Sequence, residues 1–170
     1  MSPQIYVLDT NILIEAKNRY YAFDICPGFW DALIVHEANS RIESIDRIKK
    51  EITDGKYDDD LLQWVKSTLP DTFFNSTKEP DVVQKFAEME NWVQNQQQFK
   101  SEAKAEFAKG VDGWLCAYAK VRKDTIVVTH EDYAEGIKWK VKIPNICEEF
   151  HIEYKNTFDM LRELETTFII

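Results

Sequence analysis

Two hydrophobic periods alternate along the chain. Ile5-Tyr6-Val7-Leu8 is a short unbroken apolar run closing on Asp9, which predicts a buried strand over about residues 4–9. A helical start follows at Asn11 to Ala16, then an aromatic connection in which Tyr20, Tyr21, Phe23, Phe29 and Trp30 crowd together. Pro27 suits the first turn of a helix over about Gly28–Asn39, with Phe29, Leu33 and His36 on one side. Ile42-Glu43-Ser44-Ile45 predicts a second strand. Asp46 then caps a helix carrying Ile48 and Ile52, which ends at Asp54-Gly55. Asp58, Asp59 and Asp60 suit a helix N-terminus ahead of Leu61, Leu62, Trp64 and Val65. Pro70 and residues 73–77 interrupt the helical pattern. A long polar helix over about Pro80–Gln98 is expected to bury Val83, Phe86, Met89 or Glu90, and Val93. Another helix, Lys100–Lys109, stops at Gly110, and Asp112 opens the apolar helix Trp114–Ala119. Thr125–Thr129 is the clearest strand. Weaker strands are expected at Lys138–Ile143 and His151–Tyr154, before a closing helix over Thr157–Glu165. This alternation predicts one α/β domain over residues 1–170, a three-layer α/β/α sandwich with a mostly parallel central sheet.

Composition narrows the picture. At 170 residues, 44% hydrophobic and 30% charged, the chain is long enough for one substantial core. No apolar run approaches the roughly 20 residues that cross a bilayer. The chain's start lacks a basic segment followed by a long apolar stretch, so a cytoplasmic protein without membrane contact is expected. Cys26, Cys116 and Cys147 are widely spaced and form no metal-knuckle pattern, which fits reduced thiols. A net charge of -9 argues against coating nucleic acid by bulk electrostatics. It leaves room for carboxylates gathered around divalent cations, which reverse the local field.

Asp9 is where chemistry enters. An acid at the last residue of a buried parallel strand sits at the carboxyl edge of the sheet, where open α/β folds place their ligands. Three further acids occupy comparable places. Glu51 lies about one and a half turns into the helix after the second strand. Asp112 opens the Trp114–Ala119 helix, and Glu131 stands two residues beyond Thr129. Carboxylates converging on one sheet edge repel unless cations hold them, and Mg²⁺ or Mn²⁺ is the natural partner of oxygen ligands. Asp46, Asp58 and Asp112 are equally explained as helix caps, and with 30 acids in the chain some fall near strand ends by chance.

Tyr6-Val7-Leu8-Asp9-Thr10-Asn11-Ile12-Leu13-Ile14 closely resembles the opening motif of PIN-domain nucleases, a hydrophobic strand ending in Asp with Thr or Ser and then Asn after it. Asp112-Gly113-Trp114-Leu115-Cys116-Ala117-Tyr118-Ala119 is similar to that family's third acidic motif. Ile126-Val127-Val128-Thr129-His130-Glu131 resembles the last motif, with Glu in place of the more usual Asp. Glu51, within Ile48-Lys49-Lys50-Glu51-Ile52, matches the second acid least specifically, and Glu43 is its alternative. Residues 21–30 and 142–147 look like a bacterial PIN-like branch, so the resemblance spans nearly the whole chain. It implies a PIN-like fold and Mg²⁺- or Mn²⁺-dependent cleavage of an RNA substrate. It also implies the toxin half of a toxin–antitoxin pair similar to VapC-type proteins, with an antitoxin protein partner and a homodimer.

Under that resemblance Asp9, Glu51, Asp112 and Glu131 form the catalytic metal site. Asn11 orients Asp9 or caps the following helix, and Thr129 hydrogen-bonds an acid, a phosphate or the strand end. His130 reads as an exposed loop histidine. Lys100, Lys104 and Lys109, and the alternating Lys138, Lys140 and Lys142, are candidate phosphate contacts or protection of an edge strand. The aromatic connection stacks unpaired bases or builds core. A PIN-shaped binding module without catalysis is the competing reading. Phosphotransfer with Asp9 as nucleophile lacks a second Asp, since Asn11 stands there, and no glycine-rich loop supports dinucleotide binding.

Overall fold

The computed structural model describes residues 2–55 and 59–170. Its strands are β1 (Ile5–Leu8), β2 (Ile42–Ile45), β3 (Phe74–Asn75), β4 (Thr125–Val128) and β5 (Tyr154–Lys155). They form one sheet in the order β3-β2-β1-β4-β5, parallel at every pairing. The helices are α1 (Thr10–Glu15), α2 (Pro27–Ala38), α3 (Asp46–Asp54), α4 (Asp60–Ser67), α5 (Pro80–Asn95), α6 (Ser101–Lys109), α7 (Asp112–Val121), α8 (Ile143–Phe150) and α9 (Thr157–Glu163). A π-helical turn over Ala16–Tyr20 extends α1.

The central strands are apolar on both faces because helices cover both. Register pairs Val7 with Glu43 and Val127, and Tyr6 with Ile42 and Ile126. Glu43 meets the Tyr118 hydroxyl of α7 at 2.9 Å, so α7 lies on the Val7 side, with α5, α6 and α8 around it. Tyr6 donates to Glu163 of α9 on the opposite side. There α2 buries Phe29, Trp30 and Leu33, and its His36 bonds Thr166 at 2.7 Å. The result is a three-layer α/β/α sandwich around one contiguous core.

Several elements depart from the sequence pattern. Residues 138–142 form an irregular segment, not a strand. Ile137 and Val141 are buried, but the backbone between them is tied to α6 by the Lys100 amide, which donates to the Lys138 carbonyl at 2.8 Å. Helix α8 then starts at Ile143, where Pro144 fits the first turn and the Asn145 carboxamide accepts from the Lys142 amide at 3.1 Å. His151 is the left-handed cap of α8 (φ 57°), so the last strand holds only Tyr154 and Lys155. Strand β3 arises inside the stretch expected to be a break. Along α5 the buried face carries Val82, Met89 and Val93, while Val83 is exposed. Asp59 caps α4 by accepting from the amides of Leu61 and Leu62, and Asp58 lies outside the described residues.

Candidate functional site

Asp9 follows β1 directly and occupies the N-cap position of α1. It is 3% exposed. The neighbouring strand β4 brings Thr129 beside it, and the Thr129 hydroxyl approaches Asp9 Oδ2 at 3.5 Å. The same hydroxyl accepts from the Glu131 amide at 3.1 Å, so one threonine fixes the positions of two acids. Asp112 enters from the N-terminus of α7 and Glu51 from the last turn of α3. Together with Thr10, Asn11, Glu106, Phe107 and Lys140, these three acids line a cavity of about 190 Å³ at the carboxyl end of the sheet.

The position of Asp112 depends on its successor. A Cβ at Gly113 would stand 2.7 Å from Phe107 Cζ and 2.8 Å from Phe86 Cε2. Only glycine lets the aromatic rings of α5 and α6 close over the start of α7. Phe86 in turn stacks on Trp114 at 4.0 Å, and the Arg47 guanidinium lies 3.7 Å from the Trp114 ring centre.

Crowding shows in the proton affinities. Burial, with the charges of Asp112 and Glu131 beside it, pushes the Asp9 carboxyl up to about 8, against a partial offset from the Thr10 amide. Burial and Glu131 push Asp112 up to about 6, while Lys140 opposes the rise. Glu51 stands on the rim, and desolvation at the cavity raises it too. The Lys140 ammonium is 3.0 Å from Glu131 Oε2. Burial works against its charge, but Glu131, Asp112 and Glu106 hold its proton affinity above the ordinary value.

Glu51, not Glu43, is the second acid at this cavity. Both Glu43 oxygens are engaged elsewhere, one by the Tyr118 hydroxyl and the other by the Asn75 side-chain carboxamide at 3.0 Å. Glu131 does not line the cavity itself. It borders an adjoining cleft with Asn11, Glu15, Tyr20 and His130, while its charge reaches Asp9 and Asp112. Asn11 is exposed inside α1 and makes no hydrogen bond to Asp9, so it neither caps the helix nor orients that acid; Asp9 itself takes the cap position. His130 is half-buried, bonded to the Thr157 hydroxyl at 3.1 Å and packed near Tyr20 and Phe158, rather than an exposed loop residue. Burial lowers its proton affinity. The alternating lysines do not form a stripe: Lys138 is exposed, Lys140 turns to Glu131, and Lys142 reaches the Asp132 carbonyl at 3.2 Å. The aromatic connection is mostly core, with Phe23 stacked on Trp30 and Tyr21 on Phe29, while Tyr20 is half exposed.

Among the described residues, no three His, Cys, Asp or Glu side chains stand at metal-holding spacing. The donor chemistry fits a hard cation all the same. It is built of oxygens and, among the described residues, its negative charge exceeds its one lining cation and the buried Thr10 hydroxyl has no hydrogen-bond partner. Glu106 was not legible as a cavity residue; its only signal is its place one turn after the buried Ala103 on α6.

No curated protein and no solved structure matches the chain. Residues 6–168 match the family described as Domain of unknown function (DUF4411), and the chain belongs to that family.

Proposed function

We propose that this family member is a divalent-metal-dependent nuclease that hydrolyses RNA phosphodiester bonds, with Asp9, Asp112 and Glu51 holding Mg²⁺ or Mn²⁺ and Glu131 completing the site. The observation that carries this reading is the buried Asp9 carboxylate, facing one cavity with Asp112 and Glu51 and pushed up to about 8 by burial and neighbouring acids. A structural carboxylate at such a position would be expected to pair with a close cation or several donors; Asp9 has the Thr10 amide, the Thr129 hydroxyl at 3.5 Å and, against these, the charges of Asp112, Glu131 and Glu51. A bound divalent ion would activate water and stabilise charge on the phosphate at such a site.

The chain's own groups divide the remaining work. Thr129 holds Asp9 and the Glu131 backbone in fixed relation. Lys140 neutralises Glu131. The exposed Asn11 amide supplies a polar contact at the cavity for a phosphate or ribose. Tyr20, beside His130 in the adjoining cleft, offers a ring face to an unpaired base. The motif resemblance at Asp9, Asp112 and Glu131 to PIN-domain nucleases extends the proposal to the toxin of a two-protein system, as for VapC-type proteins, held inactive by an antitoxin and acting as a homodimer.

A second reading, a binding module without catalysis, is favoured by the engagement of Glu131 with Lys140. Incubating single-stranded RNA with the protein and Mn²⁺ separates the two. The nuclease reading predicts cleavage that falls by at least about 100-fold in Asp9→Asn, as for loss of a group acting at the reacting centre. Intact RNA across a varied panel, with either metal, would sink it.

A further inference from the structure

Lys140 is the one cationic side chain lining the acid cavity among the described residues. Its position is fixed from both sides. The backbone next to it is anchored by buried Ile137 and Val141, the Ile137 carbonyl accepts from the Gln98 side-chain carboxamide at 2.8 Å, and the Lys138 carbonyl accepts from the Lys100 backbone amide. The Asn145 carboxamide then clamps the far end, accepting from the Lys142 amide and donating to the Ala134 carbonyl at 3.2 Å. The backbone is thus held, and the partly exposed Lys140 side chain extends from it over the acids. It is presented to Glu131 at 3.0 Å, where its charge also acts on Asp112.

We propose that Lys140 is the built-in counter-cation of the cavity and competes with a divalent ion for the same carboxylates. Two cations addressing one group of acids repel each other, so the ammonium weakens metal binding while it stabilises the acid cluster. Glu131 is the shared element: it pairs with Lys140, and its charge falls on Asp9 and Asp112. Metal affinity in this chain is therefore set by a lysine as well as by the acids. The inference rests on the metal-site reading and adds to it a residue that tunes occupancy.

Mn²⁺ binding by titration calorimetry, together with Mn²⁺-dependent shifts of the melting temperature, tests this without any substrate. Lys140→Met keeps the apolar stem and removes the charge. It is expected to bind Mn²⁺ about ten-fold more tightly than the native protein, the scale of one unit charge lost near a dication at a partly screened site. Lys140→Arg should bind like the native protein. Without Mn²⁺, Lys140→Met should melt lower than the native protein, and saturating Mn²⁺ should recover most of the difference. Lys140→Gln provides the same comparison if the methionine variant does not fold. Unchanged or weaker Mn²⁺ binding in the uncharged variants overturns the counter-cation role while native binding upholds the metal site. Absence of binding in the native protein, or binding that survives Asp9→Asn, overturns both.

Discussion

Asp9 is a carboxyl group whose neutral form the fold favours. In the unfolded chain it ionises near 3.8, whereas in the folded protein burial and the charges of Asp112 and Glu131 push it up to about 8. The native state then binds this proton more tightly than the unfolded state, so without metal its contribution to stability is lost as pH rises from about 4 to about 8. Asp112, pushed up to about 6, adds the same sign over the lower part of that window. Asp9→Asn keeps the shape and removes the charge. With metal chelated, thermal melts should show the variant several degrees more stable than the native protein at pH 8 and nearly equal to it at pH 4. A variant that melts lower at pH 8 would mean that the ionised carboxylate is structurally required. Asp9 was legible because an acid ending an apolar strand contradicts its surroundings. Lys140 was read as one of three alternating lysines, because sequence spacing does not reveal that the segment leaves the strand geometry and turns one ammonium inward.

Among the elements, α7 controls the site. Its first residue is Asp112 and its second, Gly113, admits Phe86 and Phe107. Gly113→Ala would force those rings away or push the start of α7 outward. The expected cost is about 1–3 kcal/mol in urea unfolding, as for overpacked cores, with weaker Mn²⁺ binding because Asp112 moves with the helix. Unfolding at the native midpoint would show that the aromatic layer yields freely. Helices α2, α3 and α7 were readable from their first-turn residues and apolar spacing within a residue or two at their starts, but Asp46 is not the cap of α3: Ile45 holds that position, and the Asp46 carboxylate accepts from Thr77. Helix α8 was missed because Lys138–Ile143 alternates like a strand, although Pro144 and Asn145 carried an N-terminal signal. Strand β3, two residues long, leaves no periodicity to read. The offset between Val83 and Val82 on α5 has a related cause: adjacent valines fit either rotation of a largely polar helix, and packing against α7 selects one.

At the scale of the whole molecule, the parallel sheet does the assembling. Its order places β1 at the centre, with β2 and β4 on either side, so Asp9, the entry to α3 and the Thr129–Glu131 turn meet at one edge. That convergence follows from topology, and the alternating pattern predicted it. The identity of the second acid did not follow. It required knowing that Tyr118 and Asn75 occupy Glu43 and leave Glu51 facing the cavity. These acids are proposed to hold a divalent ion. The most direct measurement is an anomalous difference map from crystals soaked in Mn²⁺. A peak is expected within about 2.5 Å of an Asp9 carboxylate oxygen, the range for hard cations on oxygen, with Asp112 as a further ligand, directly or through water. A map with no peak in this cavity at saturating Mn²⁺, or with peaks only at surface acids elsewhere, would contradict it.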